Sequence, residues 1–205
     1  MIPRLFAHFL RRKDRGAGPE FTTLKLERPR DWSGQYPDVP KPGTGLSVQL
    51  IAARWACHDL YGEDMPHIAA DLIEAGHDSA ALRRLAAETE AECSADVEPL
   101  VARLFRDFDI PYPLPDEQAQ LVFARQIARE VIAGHRDPWS GAYDLEKAVS
   151  RRRPKNADLA SIFALNDEGI WDGEYQRFVP VSTVELIEVL ARIGKLTDEE
   201  IFSTT

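Results

Sequence analysis

Asp64, His67, Asp71 and Glu74 follow one another at i, i+3, i+7 and i+10. On a helix that spacing gathers an imidazole and three carboxylates on one face, a set able to hold a divalent metal or to pass a proton. The same face lies opposite the Met65, Ile68 and Leu72 stripe, where solvated residues belong. A di-metal bundle would repeat Glu-x-x-His on a second helix and add further Glu on two others. That repeat is missing, so no metal and no cofactor are expected.

The two cysteines offer little more. Cys57 and His58 are adjacent, so on a helix their side chains would diverge by about 100° and could not act as a pair. Cys93 stands among Glu88, Glu90 and Glu92, an anionic neighbourhood that blunts a thiol's reactivity. His77-Asp78 follows Gly76 and reads as a junction in which Asp78 or Ser79 caps the next helix. No Gly-rich phosphate loop, Cys-x-x-Cys pair, nucleophile elbow or His-Glu-x-x-His is present. No catalytic residue is assigned.

Two stretches could recognise a partner. Residues 134–153, GHRDPWSGAYDLEKAVSRRR, place Trp139 and Tyr143 at i and i+4, one side of a helix. Residues 164–178, ALNDEGIWDGEYQRF, interleave Asp167, Glu168, Asp172 and Glu174 with Trp171 and Tyr175 in what reads as a Gly-punctuated loop. Acidic groups around aromatic anchors suit a surface that meets a basic protein. These eight residues are the candidate partner-binding set.

The elements that must carry them read as helices. Val48, Ile51, Ala52, Trp55 and Ala56 recur at helical spacing, as do Met65, Ile68, Ala69, Leu72 and Ile73, with Gly76 as a stop. Ala81, Leu82, Leu85 and Ala86 mark a third helix. Val97, Leu100, Val101, Leu104, Phe105 and Phe108 mark a fourth, with Pro99 read into its first turn. The best-marked helix starts near Pro115, with Asp116 and Glu117 at the positive end of its dipole, and ends at Gly134. Asp137-Pro138 then starts another, in which Gly141 implies a close helix–helix approach. Ser182 with Glu185 and Thr197 with Glu200 have capping-box spacing, and Gly194 reads as the end of the helix between them. The expected fold is all-α: a helical bundle or stacked helix pairs of about seven or eight helices.

The segment from Gly134 to Ala142, Gly-x-x-Asp-Pro-aromatic-x-Gly-Ala, resembles one in an uncharacterised all-helical bacterial family. The junction AADLIEAGHDSAALRRLAA, residues 69–87, is similar to another of its segments. The resemblance covers roughly residues 47–165 and implies a helical fold. It brings no catalytic residue to this chain, and it places Tyr where this sequence has Trp139.

Ahead of the helical domain, expected over residues 46–205, residues 1–45 read as an irregular arm. Leu5, Phe6, Phe9 and Leu10 sit beside Arg11, Arg12, Lys13 and Arg15, a short face that packs on its own domain or rests on an anionic membrane. Residues 21–28, FTTLKLER, allow one short strand. Residues 29–45 hold four Pro, with Trp32 and Tyr36 as anchors onto the body.

Charge divides along the same line. Residues 1–30 hold eight Lys/Arg against three Asp/Glu, while the rest holds 17 against 31, within a net −9. An acidic body repels phosphate, so the main body is not expected to bind nucleic acid. Two cysteines and no long apolar run fit a soluble cytoplasmic protein. The leading expectation is a non-enzymatic acidic helical protein that binds a basic protein, an inhibitor or immunity-type role toward a basic toxin being one form. The alternative is a small enzyme or ligand-binding protein with a pocket between helices, perhaps using His67, His77 or Asp137. Peripheral membrane attachment through residues 1–15 comes third.

Overall fold

The computed structural model describes residues 32–43, 47–91, 93–149, 154–167, 170–172, 177–179 and 183–203. The expected strand at 21–28, the amphipathic opening stretch, the arginine triplet at 151–153 and Ser182 lie outside the described residues. Among those described, nine helices occur: α1 (Val48–Ala56), α2 (Met65–Glu74), α3 (Ala80–Ala86), α4 (Ser94–Asp107), α5 (Asp116–Ile132), α6 (Pro138–Val149), α7 (Ala157–Asp167), α8 (Thr183–Lys195) and α9 (Asp198–Phe202). The fold is all-α. Its sole β element among the described residues is a hairpin between α7 and α8, β1 (Ile170–Asp172) with β2 (Arg177–Val179), in which Trp171 pairs with Phe178.

α5 organises the bundle because it is apolar on more than one side. Seven consecutive residues, Gln118 to Ala124, are buried, followed by Ile127, Ala128, Val131 and Ile132. A helix buried all round must be covered by several neighbours, and α1, α6 and α8 cover it. α2, α3 and α4 pack in chain order, closing on Leu72, Leu82, Leu85, Val101, Leu104 and Phe105. No helix of the described residues is long and apolar enough to cross a membrane.

Local rules set most helix ends. Ser79 Oγ accepts from Leu82 N at 3.1 Å, so Ser79 caps α3. Asp137 Oδ1 accepts from the N–H groups of Trp139 and Ser140. Thr197 and Glu200 form the expected reciprocal box. Gly76 and Gly134 stop their helices at φ of 92° and 75°, where a side chain would be strained.

Three expectations need correction. Pro99 lies in the second turn of α4, because the helix begins at Ser94, where Asp96 reaches back to Cys93 N at 2.9 Å. Gly194 does not end α8, which runs on to Lys195. The bare Cα of Gly194 instead receives Val39, whose Cγ1 would lie 2.8 Å from a Cβ there. Finally, α1 ends at Ala56 and His58 takes a left-handed φ of 57°, so Cys57 and His58 do not share a helix.

The segment before α1 is fastened to the body. Trp32 and Tyr36 pack against the core, Val39 is buried, and Asp38 pairs with Lys195. That hydrogen bond from Lys195 holds the Asp38 carboxyl below its ordinary value. The far end of α8 is fastened by α5. Arg129 donates to the carbonyls of Gly194 (2.9 Å) and Leu196 (3.4 Å), and Arg125 to Leu196 (3.1 Å) and Asp198 (2.6 Å). Two guanidinium groups thus satisfy carbonyls that the helix end leaves without partners.

Candidate functional site

A half-open cleft of about 310 Å³ lies between α1, α5 and α6. Leu50, Phe123 and Ile127 form its apolar wall; Arg54, Asp59, Gln126, Glu130, Arg136 and Asp144 form its polar one. Each polar residue arrives by a local rule. The turn after α1 folds back, Asp59 N reaching Arg54 O at 2.9 Å, so that Asp59 accepts from Arg54 Nε at 2.6 Å. Gln126 and Glu130 are one turn apart on α5 and joined at 3.0 Å. The left-handed Gly134 brings the chain back, and Arg136 Nε donates to Glu130 at 2.8 Å.

Gly141 makes the last connection possible. A Cβ there would meet Val131 Cγ2 at 2.9 Å, Ile127 Cγ2 at 3.1 Å and Arg136 Cδ at 3.4 Å. The expected close approach is therefore that of α6 to α5. With α6 so near, Asp144 also reaches Arg136, and one guanidinium joins both helices through two carboxylates. A guanidinium has five donors in a fixed fork, which suits it to this bridging. The cleft holds three carboxylates against two guanidinium groups, a formal −1. Its lining has no imidazole, hydroxyl or thiol; its carboxylates and guanidinium groups are engaged with one another.

The sequence-derived partner-binding set falls in several places. Trp139 is half-buried, its indole N–H donating to Thr183 Oγ1 at 3.1 Å, so the start of α6 is tied to the start of α8. Tyr143, one turn on, is 63% exposed, and Val184, next to Thr183, is 68% exposed. Asp167 is the last residue of α7, and Trp171 and Asp172 belong to β1, so this part of the expected loop is a helix end and a hairpin strand. The alternating segment pairs across the hairpin because extended residues on both sides can exchange backbone hydrogen bonds. Glu168, Glu174 and Tyr175 lie outside the described residues.

The histidine and carboxylate candidates are dispersed. Asp64 precedes α2 and accepts from Tyr61 N at 2.8 Å, while His67, Asp71 and Glu74 are exposed. His77 stands edge-on to Phe108 at 5.6 Å, and Asp137 is occupied as a cap. None of His67, His77 and Asp137 lines the cleft. Among the described residues no group of three or more His, Cys, Asp or Glu is placed to hold a metal ion. Cys57 is buried, and burial pushes its thiol up to about 12; Cys93 is exposed.

Sequence reasoning missed the cleft residues altogether. One local signal existed, the i, i+4 pair Gln126 and Glu130. In comparisons with known proteins, no family model, no curated protein and no solved structure matched this chain.

Proposed function

We propose that this chain is a non-enzymatic acidic helical protein that binds a basic protein partner, an inhibitor or immunity-type protein for a basic toxin being one form. The observation that supports it is the exposure of Tyr143 and Val184 beside the Trp139–Thr183 hydrogen bond. Tyr and Trp are enriched among the residues that anchor protein interfaces. The acidic excess beyond residue 30 supplies steering toward a cationic surface. Asp167, Glu168, Trp171, Asp172, Glu174 and Tyr175 are proposed as further partner contacts on the interleaving of acidic and aromatic residues in their sequence.

Retention of a basic protein at low salt, its release at high salt and its loss in Tyr143→Ala would support this reading. Tyr143→Ala should leave the melting temperature unchanged, since that side chain is exposed. Retention indifferent to both salt and Tyr143 would refute it.

A second reading is favoured by the cleft: a ligand-binding protein whose small-molecule site lies between α1, α5 and α6. At about 310 Å³ the cleft stands at the lower end of the range of ligand sites, and it combines an apolar wall with a few convergent polar groups. A ligand that prefers the folded state would raise the melting temperature, and go on raising it with the logarithm of its concentration above the dissociation constant.

A further inference from the structure

We infer that the cleft between α1, α5 and α6 takes a small organic cation, an amine or guanidine on an apolar body; this rests on the ligand-binding reading. Both guanidinium groups of the cleft are already engaged, Arg54 by Asp59 and Arg136 by Glu130 and Asp144. An anion entering would have to displace these carboxylates or lie against them, and like charges brought together in a partly desolvated site repel strongly. A cation meets the opposite situation. A carboxylate has about four acceptor sites, and the side chains of Asp59 and Asp144 remain 35% and 44% exposed while paired. The third carboxylate in excess of two cations supplies the charge that an ammonium group would neutralise.

The same wall argues for an organic rather than a metal cation. The carboxylates are spread over the turn after α1, α5 and α6 and do not converge as metal ligands. Leu50, Phe123 and Ile127 give an apolar body somewhere to rest, with the charged end toward Asp59 or Asp144. A cleft of this volume holds about ten water molecules' worth of ligand.

Isothermal titration calorimetry of the full chain at low ionic strength, with phenethylamine, phenylguanidine, phenylpropionate and neutral phenylpropionamide, tests this. The cations should bind about tenfold or more tightly than the neutral amide. Leu50→Trp, which fills the cleft from its apolar wall, should abolish that binding. Asp144→Asn and Asp59→Asn should each weaken it several-fold, with circular dichroism showing the helices retained; Asp59→Asn leaves the α5–α6 bridge intact. Tighter binding of phenylpropionate or the amide, lost in Leu50→Trp, would overturn the cation assignment and leave the ligand site standing. Cation binding unchanged in Leu50→Trp and both Asn variants would overturn it by placing the site elsewhere. Binding of none of the four would overturn the ligand-binding reading with it.

Discussion

Gly62 lies flush against the carbonyl group of Cys93: a Cβ on Gly62 would overlap that group and come 2.7 Å from Ser94 N. The contact joins the short turn before α2 to the first residue of α4. Both neighbours are backbone, which cannot rotate aside as a side chain can. Gly62→Ala should therefore cost about 3 kcal/mol or more, at the upper end for overpacking. Urea denaturation reads it as a lowered midpoint at unchanged slope. A midpoint near that of the parent chain would show that α4 can move away freely.

Gly141→Ala tests the α5–α6 approach. Alanine gains about 1 kcal/mol of helix propensity over glycine, but its methyl must fit against Val131 and Ile127, both buried and β-branched. Overpacking of that kind costs roughly 1–3 kcal/mol. The expected net is a destabilisation of about 1 kcal/mol, measured by the same denaturation, where an exposed helical glycine would show a gain.

Arg129→Met and Arg192→Ala separate an internal fastening from an external one. Arg129 donates to the carbonyls of Gly194 and Leu196, and removing a charged donor from such acceptors costs about 1.5–3 kcal/mol. Arg192 grips Asp158 between α8 and α7 at 2.9 and 3.0 Å but is 54% exposed, so its loss should cost less than about 1 kcal/mol. Thermal unfolding of the two variants should rank them in that order; the reverse order would show that the α8 end is satisfied by water.

The two thiols should differ in reactivity. Cys93 is exposed and Cys57 is buried with its thiol pushed up to about 12. Maleimide at mildly alkaline pH should label one site on the native chain and both on the denatured one, with mass spectrometry identifying Cys93 as the first. Since the folded thiol is harder to ionise than the unfolded one, Cys57 withdraws stability as pH rises from 9.0 toward 12. Equal native labelling of both would contradict the burial.

What was legible in the sequence follows from the range of the interactions. Caps formed by Ser79, Asp137 and the Thr197–Glu200 pair involve residues two or three apart, so spacing alone discloses them. Gly141 is readable too, because glycine is costly inside a helix and its presence there points to a neighbour that leaves no room for a side chain. Gly194 obeyed the same rule and was misread as a stop, since Val39 arrives from more than a hundred and fifty positions away. Pro99 was misplaced because Asp96 starts α4 earlier than the apolar stripe does. The cleft was invisible for a further reason. Arg54, Glu130 and Asp144 are ordinary surface types on three separate elements, and only the packing of α1 and α6 against α5 makes them neighbours.

The bond from Arg129 to the Gly194 carbonyl has one more property. Neither member exchanges a proton under ordinary conditions, the one being a guanidinium and the other a peptide oxygen. The outer fastenings, Asp38 with Lys195, Asp158 with Arg192 and Asp198 with Arg125, all depend on an ionised carboxyl group. Acid strong enough to protonate Asp38 would thus release the segment before α1 from Lys195 while leaving the Arg129–Gly194 seam between α5 and α8 as it is.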